Sequence, residues 1–394
     1  MKIETRAVHA GRKIESGTRD VTPAIHLSTT YQKADDGSLP GGFLYSRTDN
    51  PNRAALEEVL ASLEEGAAAL AFSSGNAATL ALFHALAPGD HVIAGEDVFY
   101  GTASLLKSLL GPWGLTHTLV NMQDPAAVER AITPATKLIW VETPSNPLLH
   151  VIDIRSICAI ARKAGALVAC DNTWATPLLQ LPLKLGADVV MHSVTKYLSG
   201  HSDVLSGALV FKTNGGKTNG GKTNGTKADG EQHASTLFEK VRVIQREGGS
   251  VPSPFECWLV LRGLQTFPYR VRAQSAGAQR IAEYLSQQPK IEAVHYPGLA
   301  SHSGHKIAAA QMSSFGGMLS IQVKGGQVEA FKLAAAVKLF THATSLGGPH
   351  SLIEHRASVE GAATRSPVNL LRLSIGLEHP DDLIDDLEQA LKKL

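Results

Sequence analysis

Short apolar runs alternate with longer amphipathic stretches through the middle of the chain, and this alternation predicts strands separated by helices. The apolar runs are HVIAGE, THTLVNM, KLIWVE, ALVACDN, ADVVMHS and GALVFK. Between two of these runs, DIRSICAIARKAG places Ile154, Ile157 and Ile160 on one helical face. Asp153 and Gly165 suit the N-cap and the C-cap of that helix. Repeated strand–helix–strand units predict an α/β fold whose central sheet is mostly parallel.

The pattern changes on both sides of this region, which suggests a division into parts. Residues 1–52 are irregular and rich in Thr, Gly and Pro, and we expect an N-terminal arm that contacts a neighbouring subunit. Residues 53–250 carry the alternating pattern, with a low-complexity insertion at 212–230 that has nothing to bury and is expected at the surface. Residues 251–394 predict a smaller C-terminal α+β domain.

Composition and charge exclude several classes of protein. With 37 basic and 36 acidic residues the net charge is +1, so there is no electrostatic basis for binding nucleic acid or a membrane surface. Cys158, Cys170 and Cys257 fit neither a disulfide framework nor a metal site. No apolar run approaches membrane-spanning length, and the opening MKIETRAVHAGRK lacks the apolar core of a signal peptide. We therefore expect a soluble protein of the cytoplasm.

Polar residues follow successive predicted strands, at the edge where parallel sheets bind ligands. Asn146 follows one strand, Asp171 ends the next, and Ser193, Thr195 and Lys196 follow a third. Enzymes that use pyridoxal 5′-phosphate (PLP) need such a lysine and such an aspartate. The lysine holds the aldehyde of PLP as a Schiff base, and the aspartate pairs with its ring nitrogen. Taken singly, Lys196 would more often be a surface charge and Asp171 a turn residue. Their joint position favours a PLP site.

A site for the cofactor's phosphate is indicated at FSSGNAA. Ser74, Gly75 and Asn76 lie where a loop enters a predicted helix, and free backbone N–H groups with the helix dipole favour an anion there. An ordinary helix start is the alternative interpretation of this short stretch.

Several longer motifs resemble one known family. They are LYSRTDNPNRAALE, FSSGNAA, GDHVIAGEDVFYGT, VETPSNPLL, DNTWATP, HSVTKYLSGHSDVLSGAL, TSLGGPHSLIEHRASVEG and NLLRLSIGLEHPDDLIDDLEQAL. Over nearly its whole length the chain resembles the PLP enzymes of cysteine and methionine metabolism, which include cystathionine γ-synthase and γ-lyase. The resemblance implies fold type I, the aspartate-aminotransferase-like fold of PLP-dependent transferases. The insertion at 212–230 is not part of the shared pattern.

The resemblance also implies a role for each matching residue. Lys196 would be the Schiff-base lysine and proton carrier, and Asp171 the partner of the ring nitrogen. The other residues implied to hold the cofactor are Tyr45, Arg47, Ser74, Gly75, Asn76, Phe99, Thr173, Ser193 and Thr195. Tyr45 and Arg47 would come from the neighbouring subunit, which implies an obligate dimer paired into a homotetramer. The residues implied to bind the amino-acid substrate are Asn146, Ser345, His350 and Arg372.

Two positions depart from the family's pattern. Phe99 stands where a tyrosine usually stacks over the cofactor ring, and it has no hydroxyl to help move protons. Tyr100 would take that catalytic part only if the loop shifted by one residue. His350 stands where a glutamate usually lies near the distal part of the substrate, and a histidine would attract the far ammonium of cystathionine less well. These departures leave substrate specificity open.

The resemblance implies that Ser345 favours the branch of this family that acts at Cγ of its substrate. It also implies that Thr102, in the pair GT after Tyr100, weighs against methionine γ-lyase activity. We expect cystathionine γ-synthase activity, which joins cysteine to an O-acylhomoserine. Cystathionine γ-lyase activity is the first alternative, because both reactions would use the same residues. A PLP-binding homologue with weak or altered activity is the second. A nucleotide-binding α/β domain is disfavoured, because the chain has no GxGxxG or GxxxxGK motif.

Overall fold

The larger sheet is the framework of the fold. The computed structural model describes residues 1–14, 17–213, 229–361 and 364–394, so most of the predicted insertion at 212–230 lies outside the described residues. Within the described residues, seven strands form this sheet in the order β1-β7-β6-β5-β4-β2-β3. They are β1 (Ala68–Phe72), β2 (His91–Gly95), β3 (Thr116–Val120), β4 (Thr136–Glu142), β5 (Leu167–Asp171), β6 (Val189–His192) and β7 (Gly207–Phe211).

The pairing of these strands confirms the predicted α/β class with a mostly parallel sheet. Strands β3, β2, β4, β5 and β6 are parallel to one another, whereas β7 is antiparallel to both of its neighbours, β6 and β1. The β4–β5 register sets Glu142 directly beside Asp171. Because parallel strands share a direction, the carboxyl ends of β4, β5 and β6 meet at one edge.

Helices cover both faces of this sheet. Those that precede the smaller sheet are α1 (Ile3–His9), α2 (Pro51–Glu64), α3 (Gly75–His84), α4 (Tyr100–Ser104), a π-helical segment (Leu105–Leu110), α5 (Gly111–Trp113), α6 (Pro125–Ala131), α7 (Ile154–Ala164), α8 (Thr176–Leu179), α9 (Pro182–Leu185), α10 (Asp229–Gly248), α11 (Pro254–Leu264) and α12 (Phe267–Ser286). Asp153 caps α7 by accepting a hydrogen bond from the Ser156 N–H, as predicted.

The core alternates along the strands with the period of two that a pleated sheet dictates. On β4, Leu138 and Trp140 face a core shared with α3, where Phe83 packs against Trp140 with ring centroids 5.1 Å apart. Ile139 and Val141 face the opposite core, which includes α7. Both faces of β4 are therefore buried, which explains its continuous apolar run.

A smaller, five-stranded sheet follows in the described part of the chain, in the order β10-β11-β12-β9-β8. Its strands are β8 (Ile291–His295), β9 (Met318–Val323), β10 (Thr341–His342), β11 (Leu352–His355) and β12 (Leu370–Ser374). The associated helices are α13 (His305–Gln311), α14 (Gln327–Ala336), α15 (Arg356–Glu360) and α16 (Pro380–Leu391). Among the helices of the described ranges, none is long and apolar enough to cross a membrane.

Candidate active site

A cavity of about 630 Å³ opens at the carboxyl ends of β4, β5 and β6. The second half of the chain closes its other side through the Ser345 turn, α15 and β12. The residues that line it are Ser74, Gly75, Asn76, Thr79, Phe99, Tyr100, Thr102, Glu142, Pro144, Asn146, Asp171, Thr173, Trp174, Met191, Ser193, Thr195, Lys196, Leu205, Thr344, Ser345, Leu346, Arg356, Val359, Glu360 and Arg372.

Lys196 enters this cavity from the turn after β6. Its Nζ donates a hydrogen bond to the Ser345 hydroxyl over 2.9 Å. Burial and the nearby charge of Arg372 lower the pKa of the Lys196 ammonium from its ordinary 10.5 to about 8. The amine is therefore much closer to its neutral, nucleophilic form at neutral pH than a surface lysine is.

Asp171 ends β5 at the base of the cavity. Its carboxylate accepts a hydrogen bond of 2.9 Å from the Thr173 N–H. Burial raises the pKa of Asp171, and that hydrogen bond only partly opposes the effect. Within the described ranges, no lysine, arginine or histidine forms an ion pair with this carboxylate. A cation bound inside the cavity would stabilise the ionised form of this buried acid.

Glu142 is a second buried carboxylate, which the sequence analysis did not single out. One oxygen accepts the Phe99 N–H over 2.7 Å and the other accepts the Asn146 N–H over 3.2 Å. Burial and the adjacent Asp171 raise its pKa well above the usual range. Glu142 therefore ties the loop that carries Phe99 to the loop that carries Asn146.

The start of α3 forms another part of the cavity wall. Ser74 caps this helix by accepting the Ala77 N–H over 3.1 Å, and the first N–H groups of a helix have no partner within it. A Cβ on Gly75 would lie only 3.0 Å from the Ser193 Cβ, so a larger residue would crowd this wall. Thr195 also lines the cavity here, and its hydroxyl donates to the Ser206 carbonyl. This part of the wall suits an anion.

Arg372 projects from β12 and is held on three sides. Its guanidinium donates to Asn146 Oδ1 over 3.0 Å and to the Ser345 carbonyl over 3.2 Å. It also pairs with Glu354 at 2.5 Å. Ser345 has a φ of +86°, a strained value for a residue with a side chain, which brings its hydroxyl to Lys196 and its carbonyl to Arg372. The turn thus links the amine to the guanidinium.

Three residues named in the sequence analysis lie outside this cavity, two of which, Tyr45 and Arg47, were predicted to serve the site of a neighbouring subunit. Tyr45 and Arg47 do not line the cavity, and Arg47 instead donates to the Arg246 carbonyl over 2.6 Å. His350 is exposed and does not line the cavity either. Phe99 and Tyr100 both line it, so no shift of the loop is needed to bring Tyr100 to the wall.

Comparison with known proteins places the chain in a family. A family model described as "Cys/Met metabolism PLP-dependent enzyme" matches residues 4–392. The chain belongs to that family. The predicted resemblance is thereby confirmed, and PLP is the cofactor on which this family depends.

Individual members of this Cys/Met metabolism family match the chain over almost its full length. Cystathionine gamma-synthase of Mycobacterium tuberculosis is 47% identical over 393 residues, which cover 98% of this chain and 96% of the relative. Cystathionine gamma-lyase of Dictyostelium discoideum is 40% identical over 401 residues, covering 100% and 97%. The crystal structure of metB from Corynebacterium glutamicum matches with a TM-score of 0.92 at 38% identity, covering 100% of this chain and 98% of that chain. Fold type I is confirmed.

The cavity fits PLP on its own chemistry. Asp171 is a buried carboxylate without an ion-pair partner in the described part of the chain, and the protonated ring nitrogen of PLP would supply the missing cation. The start of α3 offers unpaired N–H groups to a phosphate. Lys196 offers an amine of lowered pKa on the same wall. Amine, acid and anion site thus lie in one cavity.

The lowered pKa of Lys196 predicts a pH dependence that the apo-protein should display. With a pKa of about 8, roughly a tenth of the amine is neutral at pH 7, and only this form reacts with an acylating reagent. We expect labelling of Lys196 to rise about tenfold per pH unit below pH 8 and to level off above it. Peptide mass spectrometry measures this, with the exposed Lys184 as internal reference. A labelling rate still rising steeply at pH 10 would contradict the lowered pKa.

Proposed function

We propose that this enzyme is a cystathionine γ-synthase, which joins cysteine to an O-acylhomoserine and releases the carboxylic acid. One observation carries the proposal: the Lys196 amine, the Arg372 guanidinium and Asn146 share one wall, linked through Ser345. That wall can bind the carboxylate of an α-amino acid and place a base near its Cα and Cβ protons. The 47% identity to the Mycobacterium tuberculosis synthase favours γ-replacement among the reactions of the family.

Each residue of this wall has a physical role in the proposed reaction. Arg372 binds the substrate α-carboxylate in two-point fashion, and Asn146 and Glu354 hold the guanidinium in place. Lys196 Nζ takes the proton from Cα, and Ser345 keeps the amine on the substrate side. Bound PLP supplies the electron sink for the bond that breaks at Cα.

The next proton transfer occurs at Cβ. The Lys196 amine accepts this second proton as well, after the first one has passed to bound PLP and left the amine neutral, while the acyl group leaves Cγ as a carboxylate. The cysteine thiolate then bonds to Cγ, and the protons return to Cβ and Cα. Phe99 has no hydroxyl, so we assign these transfers to Lys196 and give Phe99 the task of packing on the cofactor ring. Glu142 holds the backbone of Phe99 in position for that packing.

We also propose an assembly for this enzyme, a homotetramer built from dimers with shared sites. Tyr45 and Arg47 do not line the cavity of their own chain, which supports a role at a neighbour's cofactor phosphate. Tyr45 and Leu27 are exposed large side chains of residues 1–52, as an arm that packs on another subunit requires. Residues 53–250 would then form the cofactor-binding domain and 251–394 the C-terminal domain.

Separate incubations test the proposed reaction. With O-succinylhomoserine and cysteine, we expect cystathionine as the main product, followed by mass spectrometry. With cystathionine alone, we expect little 2-oxobutanoate. The reverse balance would favour γ-lyase activity, which the 40% identity to the Dictyostelium discoideum lyase keeps as the second candidate. Neither product, from enzyme that carries the visible PLP band, would overturn both assignments.

A further inference from the structure

The cavity wall carries more charge than the cofactor and the first substrate use. Among the described residues, the charged side chains that line it are Glu142, Asp171, Lys196, Arg356, Glu360 and Arg372. The proposed reaction employs Lys196, Asp171 and Arg372, and Glu142 holds the loop backbones at Phe99 and Asn146. Arg356 and Glu360 remain, and they form an adjacent pair of opposite charges.

The pair is built into the short helix α15. Arg356 Nη2 donates to Glu360 Oε1 over 3.0 Å, one helical turn away, and Nη1 donates to Glu354 over 2.9 Å. Glu354 also binds Arg372, so one carboxylate fixes both guanidinium groups. The Arg356 side chain is only 7% exposed, and its Nε has no hydrogen-bond partner in the described part of the chain. This arginine retains capacity to donate.

Glu360 carries the negative charge of this pair, and three donors hold its carboxylate in place at the cavity wall. Its second oxygen accepts hydrogen bonds from the hydroxyls of Thr364, at 2.6 Å, and Ser366, at 2.8 Å. Burial alone would raise the pKa of Glu360, but these hydrogen bonds and the charge of Arg356 lower it instead. Glu360 is therefore ionised at neutral pH. Val359 lies on the same helical face and adds an apolar surface between the two charges.

We propose that Arg356 and Glu360 bind the second amino acid, with Arg356 on its carboxylate and Glu360 on its ammonium. The inference rests on the proposed function, since that reaction brings a second zwitterion, cysteine, into the same cavity. A fixed pair of opposite charges in a partly desolvated wall matches a zwitterion better than it matches a simple thiol. Recognition of the distal part of the product thus lies on α15 rather than at the exposed His350.

Thiols that lack one charge test the two contacts separately. With saturating O-succinylhomoserine, we compare cysteine with cysteamine, which has no carboxylate, and with 3-mercaptopropionate, which has no ammonium. The rate of thioether formation gives kcat/KM for each thiol. We expect wild-type enzyme to prefer cysteine over either analogue by about 10- to 100-fold, the range of a charge-assisted hydrogen bond.

The variants should lose these preferences selectively. Arg356→Gln should lose most of the preference over cysteamine and keep the preference over 3-mercaptopropionate. Glu360→Gln should do the opposite, and its amide oxygen can still accept from Thr364 and Ser366. Because each ratio is measured within one variant, a general loss of structure does not produce this crossed pattern. Glu360→Gln alone tests the proposal if Arg356→Gln does not fold.

The matched control is an ion pair outside the cavity. Arg280 and Asp381 pair on the surface of the same half of the chain, and Arg280→Gln and Asp381→Asn should leave both preferences unchanged. Wild-type enzyme that prefers cysteine, with cavity variants that keep both preferences, would overturn this inference alone. So would wild-type enzyme with no preference among the thiols. Wild-type enzyme that joins no thiol to homoserine would overturn the proposed function, and the inference with it.

Discussion

Replacing Lys196 with alanine should reduce turnover by at least about 10²- to 10⁴-fold, the range that a positioned general acid–base contributes. The variant loses the only amine that lines the cavity in the described part of the chain, so nothing else there can take the Cα proton. It also loses the group that would attach PLP covalently. We therefore expect the visible absorption band of the purified enzyme to disappear or shift, together with the loss of rate.

The control for this prediction is a lysine of similar chemistry outside the cavity. Lys184 is exposed and pairs with Glu65 at 2.6 Å on the surface, so Lys184→Ala should keep both the band and the rate. Absorption spectra and turnover of the two variants are measured side by side. Normal turnover by the Lys196 variant would remove this lysine from the mechanism, and with it the assignment of the cavity as the active site.

Site residues that lie directly at the ends of predicted strands could be predicted from the sequence. Asp171 closes β5 and Lys196 follows β6, and parallel pairing alone brings such positions to one edge. Ser74 and Gly75 were recognisable because a loop enters a helix there. The helix α7 was recognisable from its period and caps. Each of these signals is local, so one sequence contains it.

Other elements had no local signal. Strand β1, AALAF, is rich in alanine and has no β-branched residue, so it does not look like a strand. It forms because it pairs with β7, far away along the chain. Helix α1 is too short to be stable alone and is held by Arg6, which donates to the Ser62 carbonyl and pairs with Glu65. Tertiary contacts determine both elements.

Tertiary contacts also determine the position of the charged residues that could not be predicted from the sequence. Glu142 ends a strand that was predicted, but its hydrogen bonds go to the backbone of two separate loops. Arg356 and Glu360 reach the cavity only because α15 packs beside β12, which carries Arg372. A chain of ion pairs then runs from Arg372 through Glu354 and Arg356 to Glu360. Spacing along the sequence does not show such a chain.

Replacing Asp171 with asparagine should change the apo-enzyme and the holoenzyme in opposite directions. The amide keeps an acceptor for the Thr173 N–H but carries no charge to pair with the ring nitrogen of PLP. Losing one partner of a buried ion pair costs about 3–5 kcal/mol, which corresponds to roughly 10²- to 10⁴-fold in rate. We expect turnover to fall by that factor, with weaker cofactor binding.

The apo-enzyme should instead become more stable at neutral pH. Burial raises the pKa of Asp171 above the value of about 3.9 that an unfolded chain has, so ionising it in the fold costs stability as the pH rises. Asparagine removes that cost and the repulsion of Glu142, and the gain in Tm should vanish below about pH 4. Thermal unfolding of the apo-proteins between pH 3 and pH 8 measures this gain.

Asp188 is the matched control for these opposite changes. It is also a partly buried carboxylate of raised pKa that accepts a backbone N–H, from Val168 at 2.9 Å, but it lies before β6 rather than in the cavity. Asp188→Asn should therefore alter Tm without altering cofactor affinity or turnover. If Asp171→Asn lowered the apo-enzyme Tm as well as the rate, Asp171 would instead be a residue that stabilises the fold. A carboxylate that serves to pair with the cofactor destabilises the apo-enzyme and stabilises the holoenzyme.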